Sequence, residues 1–70
     1  MNATEILAAI KTGRTLYIQT ATRTTKIDAR TVAKFDAAGV PILKTGKDGH
    51  LYMAVGRNYV DTHYARVTLD

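Results

Sequence analysis

The stretch TATRTTKIDARTVAKFDAAG, residues 20–39, contains a helix start, an apolar face and a helix stop in one segment. Asp28 is a good N-cap because its carboxylate can accept hydrogen bonds from the free amides of the first helical turn. Gly39 can adopt the left-handed backbone that closes a helix, and Pro41 prevents its continuation. The segment therefore predicts a short helix between Asp28 and Gly39.

This predicted helix has an apolar side, and basic residues lie both on it and in the segment before it. The apolar side consists of Val32 and Phe35 with Ala29 and Ala33, at the three- and four-residue spacings that line one helical face. We expect Phe35 to be the central aromatic residue of the core. Four cations fall within twelve residues of this segment: Arg23, Lys26, Arg30 and Lys34.

Length and composition limit the kind of protein this is. Seventy residues without cysteine predict one small globular domain that has neither a disulfide nor a thiolate metal site to support its core. A marginal core of this size makes a homodimer a physical expectation. The net charge of +4 favours a polyanionic partner, either nucleic acid, with DNA preferred over RNA, or an acidic protein surface.

The N-terminal segment MNATEILAAIKTG has no basic region before a long apolar run, so it is not expected to be a signal peptide. No apolar stretch approaches the length needed to span a bilayer, and no membrane partner is expected. We expect a soluble protein of the cytoplasm.

The first half of the chain predicts a helix over residues 3–12 and a strand over residues 15–19. Residues 20–27 could extend the strand, form a hairpin or remain a loop. Leu16 and Ile18 have even numbers whereas Ile27 is odd, so one straight strand would send Ile27 to the opposite face. This alternation favours a turn or bulge near residues 21–24.

The second half predicts three strands, over residues 41–45, 50–55 and 59–69, joined by tight turns. The first turn, residues 46–49, contains Asp-Gly, which is a strong hairpin signal. The predicted fold is α+β: a small antiparallel sheet of three to five strands with two short helices packed on it, in the order α-β-α-β-β-β.

The basic, threonine-rich approach to the second helix is the best candidate site. Hydroxyls, strand amides and cations are the groups that hold phosphates. Asp28 weakens an anion site at the helix end itself, because its carboxylate repels phosphate. Cations of the later hairpins could join the surface, so the predicted nucleic-acid contacts are Arg23, Thr24, Lys26, Arg30, Lys34, Lys44, Lys47 and Arg57.

The segment RTVAKFDAAGVPILKTGKDGHLY, residues 30–52, resembles the helix-then-wing half of small excisionase-type winged-helix proteins. The resemblance covers about a third of the chain. It implies that Arg30, Thr31 and Lys34 face a DNA groove. That family has a helix directly before the recognition helix, whereas TLYIQTATRT here predicts a strand, so we do not assign the family.

All four tyrosines, Tyr17, Tyr52, Tyr59 and Tyr64, fall on predicted strands. Exposed aromatic rings flanked by cations on a sheet can stack the bases of a single strand. Alternatively, Tyr52, Tyr59 and Tyr64, with Arg57 as an anchor, could form a protein-binding patch. The alternative function is thus a small inhibitor or adaptor of the kind that phages encode to mask a host protein.

His50, Asp61 and His63 are the only residues that suggest a metal or acid–base site. A local ion pair between exposed strand residues is the simpler interpretation. The chain has no serine, no HExxH spacing and no glycine-rich phosphate loop. We therefore expect a protein that is not an enzyme and needs no cofactor or metal.

Overall fold

The computed structural model describes residues 2–70, which form two helices and six strands. The helices are α1 (Ala3–Lys11) and α2 (Ala29–Ala37). The strands are β1 (Leu16–Gln19), β2 (Thr24–Ile27), β3 (Leu43–Thr45), β4 (Leu51–Val55), β5 (Asn58–Asp61) and β6 (Arg66–Leu69). The α+β class is confirmed, and the order α-β-β-α-β-β-β-β has two more strands than the sequence predicted.

The strands form two antiparallel sheets of three strands each rather than one sheet. Sheet A has the order β2-β1-β6, and sheet B has the order β3-β4-β5. The predicted strand over residues 59–69 is in fact β5 and β6, one in each sheet. The chain turns between them at Thr62, whose buried hydroxyl donates a 2.7 Å hydrogen bond to the Leu51 carbonyl.

The open question over residues 20–27 is resolved as a hairpin. Leu16 pairs with Ile27 and Ile18 with Thr25, so Leu16, Ile18 and Ile27 all lie on the core side of sheet A. The Thr20 amide donates to the Arg23 carbonyl at 2.8 Å and closes the turn. The alternation of apolar residues had predicted a turn at this place.

Local signals set the ends of both helices. The Asn2 side chain accepts from the Glu5 amide and Glu5 bonds back to the Asn2 amide, which makes Asn2 the cap of α1. The Asp28 carboxylate accepts from the Thr31 amide at 3.1 Å and caps α2 as predicted. Gly39, at φ 75°, ends α2 in the left-handed conformation.

The core lies between the helices and the two sheets. Its fully buried large side chains are Ile10, Leu16, Ile18, Ile27 and Leu43. The prediction that Phe35 is the central core aromatic is wrong: Val32 is the buried residue of α2, and Phe35 is only partly buried against the core. Within residues 2–70, no helix has the length and apolar character that crossing a membrane requires.

Candidate nucleic-acid interface

The outer face of sheet A is a polar surface with one aromatic ring on its central strand. The strand register defines it, because residues directly opposite each other across an antiparallel pair project to the same side. Tyr17 on the central strand lies opposite Lys26 on one side and Thr68 on the other. Gln19 likewise lies between Thr24 and Arg66. We call these six residues the Tyr17 face: Tyr17, Gln19, Thr24, Lys26, Arg66 and Thr68.

The side chains of this face are accessible. Tyr17 is half-buried and the other five residues are exposed, whereas the opposite side of β1 is the fully buried pair Leu16 and Ile18. The core therefore holds the backbone of this face rigid while its polar side remains open to solvent.

The Tyr17 face has an asymmetric charge distribution. Its six residues include two cations, Lys26 and Arg66, and no acid. The acids nearest in the register, Asp28 and Asp70, both flank Thr15 at one end. Hydrogen bonds from Thr31 and then the charge of Lys26 hold the pKa of Asp28 below its ordinary value, so this carboxylate remains ionised. The ionised carboxylates repel phosphate from the Thr15 end. The electrostatics therefore favour a phosphate at the other end, where Thr24, Gln19 and Arg66 lie side by side.

The structure brings only part of the predicted set of cations to this surface. Lys26 and Thr24 belong to the Tyr17 face, and exposed Arg23 lies in the turn beside Thr24. Arg30 and Lys34 lie one helical turn apart on α2, also exposed. The remaining predicted cations are in sheet B or its turns: Lys44, Lys47 and Arg57.

Lys44 is already engaged within sheet B. Its ammonium nitrogen lies 4.0 Å from the centroid of the Tyr59 ring, in cation–π geometry. The Tyr59 hydroxyl in turn donates a 2.6 Å hydrogen bond to the Pro41 carbonyl. Both side chains therefore have partners on their own sheet, and Lys44 is the weakest phosphate candidate of the predicted set.

An ion pair between His50 and Asp61 is present as predicted, but the third residue is Asp48, which the sequence did not indicate, and not the His63 side chain, which stacks on His50. His50 Nδ1 lies 2.8 Å from Asp61 Oδ2 and 3.3 Å from Asp48 Oδ2. Asp48 Oδ2 also accepts a 2.7 Å hydrogen bond from the Tyr52 hydroxyl. The three carboxylate and imidazole groups thus form a cluster that joins the β3–β4 turn to β5. We call Asp48, His50 and Asp61 the His50 cluster.

The pKa shifts within the His50 cluster all favour a protonated His50 between two ionised carboxylates. The hydrogen bond to Asp61, and then the charges of Asp48 and Asp61, raise the pKa of His50. Bonds from the His50 amide and the Tyr52 hydroxyl lower the pKa of Asp48, and the bond from the His50 ring lowers that of Asp61. The carboxylate of Asp48 raises the pKa of Tyr52 to about 12. A proton on His50 is the cation that this cluster favours.

The ligand atoms of the His50 cluster lie within 4.8 Å of one another, which is close enough to surround a metal ion. Each of the four carboxylate oxygens has one hydrogen-bond partner: the His50 amide and the Tyr52 hydroxyl at Asp48, and the His50 ring and the His63 amide at Asp61. His63 does not complete a ligand set, because its ring stacks parallel on His50 at 4.2 Å. Two parallel rings cannot both direct an in-plane nitrogen at one ion.

The three tyrosines predicted as a protein interface are placed unequally. Tyr52 and Tyr59 are half-buried and held by hydrogen bonds on the outer side of sheet B. Tyr64 is 95% exposed and lies edge-on to His63 at 5.0 Å. His63 and Tyr64 lie in the turn between β5 and β6 rather than on a strand.

Sequence reasoning did not name Arg66, Thr68 or Gln19 as site residues. Gln19 lies on β1 two residues after Tyr17, whereas Arg66 and Thr68 join the face only because β6 pairs with β1 from more than forty residues away in the chain. The length of the predicted strand over residues 59–69 could have indicated that it is interrupted, because eleven residues is longer than most strands.

One open groove lies between the end of α2 and the β4–β5 turn, lined by Lys34, Phe35, Ala38, Val40 and Gly56. Its volume of about 210 Å³ is below that of typical small-molecule sites. The Val40 amide bonds to the Phe35 carbonyl in the helix-closing motif, which commonly pairs these two positions through an apolar contact. The groove is thus explained by the way in which α2 ends.

Comparison with protein-family models, with curated proteins and with solved structures gives no match to this chain.

Proposed function

We propose that this protein binds single-stranded nucleic acid on the Tyr17 face and acts without catalysis. The observation that carries the proposal is the arrangement of one accessible aromatic ring on the central strand, cations on both neighbouring strands and no acid among the six residues. On this proposal the protein acts in the cytoplasm.

Each component of the face has a distinct role in binding. The Tyr17 ring offers a surface on which one unpaired base can stack, a contact worth about 1–3 kcal/mol. Lys26 and Arg66 flank it on opposite strands and bind the phosphates on either side of that base. Thr24, Thr68 and Gln19 supply hydrogen-bond donors for phosphate or sugar oxygens. A single strand suits this surface better than a duplex, because stacking on Tyr17 requires a base that is not paired.

The test is fluorescence-anisotropy binding to labelled single-stranded DNA, single-stranded RNA and duplex DNA at about 50 mM and 200 mM salt. We expect single strands to bind more tightly than the duplex, with affinity falling steeply as salt rises. The absence of binding to any of the three at the lower salt concentration would refute the proposal.

Variants separate the stacking role from the ionic role. Lys26→Ala with Arg66→Ala should flatten the logarithmic salt dependence by roughly one to two, since each phosphate contact on a single strand contributes about 0.7. Tyr17→Leu should weaken binding by about 5- to 150-fold and leave the salt dependence unchanged.

The matched control removes the same charge from sheet B. Lys47 and Arg57 are exposed cations in the turns of that sheet. Lys47→Ala with Arg57→Ala lowers the net charge equally, so we expect only a small loss of affinity and an unchanged salt slope. Equal effects of the two double variants would show that binding depends on total charge rather than on the Tyr17 face.

A second candidate function is the masking of a protein surface, and the exposure of Tyr64 favours it. Tyr64 is 95% exposed beside a stacked pair of histidines, and exposed tyrosines of this kind are common hot-spot residues of protein interfaces. A photoreactive residue at position 64 should then cross-link to one defined protein, whereas the same residue at position 67 should not.

We also propose that this protein forms a homodimer.

A further inference from the structure

The edges of the two sheets differ in how they are protected. Each sheet ends in two edge strands, β2 and β6 in sheet A and β3 and β5 in sheet B. An edge strand presents free backbone N–H and C=O groups that can pair with another chain, and proteins usually cover or charge such edges. Three of these four edges have an identifiable protection.

The β3 edge is covered by α1, and the Ala3 amide donates a 2.9 Å hydrogen bond to Thr45 Oγ1. At the end of the β6 edge, the Arg14 guanidinium donates a 3.3 Å hydrogen bond to the Leu69 carbonyl. The β2 edge carries Lys26 and is preceded by Arg23, so two copies of it would repel each other. Among residues 2–70, the β5 edge has no covering helix, no capping guanidinium and no cluster of like charges.

The free backbone groups of β5 can be identified from its pairing with β4. The Thr62 amide donates to the Leu51 carbonyl at 3.0 Å. Hydrogen-bonded pairs alternate along an antiparallel ladder, so Val60 and Asn58 direct their backbone groups towards β4. The N–H and C=O groups of Tyr59 and Asp61 therefore point to the open edge.

The side chains along this edge are self-complementary. Tyr59 and Asp61 alternate onto the same side of β5, and Arg57 lies in the turn directly before the strand, so the cation comes two residues before Tyr59 and the carboxylate two residues after it. If β5 pairs antiparallel with another β5 about Tyr59, Arg57 lies opposite Asp61 of the partner subunit. The twofold symmetry produces this ion pair twice.

We propose that two copies of this protein associate through β5, joining their B sheets into one six-stranded antiparallel sheet. Tyr59 of each copy exchanges backbone hydrogen bonds with the other at the twofold axis. The partner strand also covers Val60, which is 41% exposed on the core-facing side of the edge. The bond of His50 to Asp61 is compatible with this contact, because each carboxylate oxygen has a second lone pair.

The test is sedimentation velocity over a range of protein concentrations, together with amide hydrogen exchange. We expect the mean mass to rise from one chain towards two chains as concentration increases. The Tyr59 and Asp61 amides should become protected only in the associated form, and amides on the β2 edge should not change. A mass of one chain at every concentration would overturn the proposal.

A charge reversal at Arg57 tests the register. Arg57→Glu places two like charges opposite each other at both symmetric positions and should weaken association by at least about tenfold. Lys47→Glu makes the same charge change in the other turn of sheet B and should leave association unaltered. Both variants should keep the wild-type circular dichroism spectrum. Association that is unaffected by Arg57→Glu would exclude the register centred on Tyr59.

Discussion

At the residue scale, the His50 side chain links the β3–β4 turn to β5 through contacts that depend on its protonation. Its imidazole ring lies between the carboxylate of Asp48 in a turn and that of Asp61 on β5. Because both contacts are exposed to solvent, each is individually weak. Their common dependence on one proton nevertheless gives the fold a defined response to pH.

The pKa shifts of the His50 cluster predict the direction of that response. The pKa of His50 is raised above its ordinary value of 6.5, so its stabilising effect is complete below 6.5 and is lost as pH rises through the raised value. The pKa values of Asp48 and Asp61 are lowered from 3.8, so their effect is complete above 3.8 and is lost as pH falls through the lowered values. The cluster is therefore most stabilising between these limits.

Thermal unfolding at a series of pH values measures this effect. The melting temperature of the wild type should fall from its plateau as the pH rises from 6.5 through the raised pKa of His50, and His50→Gln should remove that component. His63→Gln should retain it, because the His63 ring only stacks on His50, and the bond from His63 to Asp61 is made by the backbone amide, which the substitution keeps. The same pH dependence in His50→Gln and the wild type would assign the effect to other groups.

The partial burial of Phe35 also leads to a prediction. Ile27 is fully buried on sheet A, whereas Phe35 lines an open groove. Ile27→Ala should therefore lower the free energy of unfolding by about 2–5 kcal/mol, and Phe35→Ala should cost less than the roughly 3–5 kcal/mol expected for a core aromatic. Urea unfolding of the two variants measures both values. A larger loss for Phe35→Ala than for Ile27→Ala would contradict this account of the core.

At the element scale, the end of α2 depends on Gly39. Its φ of 75° is unfavourable for residues with a side chain, although a Cβ there would meet no atom within 4 Å. Gly39→Ala should therefore destabilise the protein by about 1–2 kcal/mol through backbone strain alone. Gly39→Asn should cost less, because asparagine tolerates this conformation better. Equal losses in urea unfolding for the two variants would contradict this explanation.

Sequence alternation predicted some elements and missed others for definite physical reasons. The mismatch between Ile18 and Ile27 required a turn because a strand has a strict two-residue period, and the β1–β2 hairpin confirms it. The corner at Thr62 was not predicted, because a buried threonine bonded to a carbonyl does not interrupt a β-rich pattern. Missing that corner concealed β6, and with it Arg66 and Thr68, two of the six residues of the Tyr17 face.

At the scale of the whole molecule, the net charge of +4 does not by itself identify a binding surface. The ten cations are spread over both helices, three strands and four connecting segments, and one of them, Lys44, lies over an aromatic ring. The sequence could indicate Lys26 and Thr24 as candidates, since they belong to a local basic cluster. Only the pairing of β1 with a strand near the end of the chain adds Arg66 and makes Tyr17 the centre of the face.

The most direct test of the central claim is an NMR titration of the isotopically labelled protein with a short single-stranded oligonucleotide at low salt. We predict that the largest shift changes occur at Tyr17, Lys26 and Arg66, with the Tyr17 ring protons moving upfield as a base stacks on them. Residues of β4 and β5 should change little. Shift changes confined to sheet B, or none at saturating oligonucleotide, would contradict the assignment of nucleic-acid binding to the Tyr17 face.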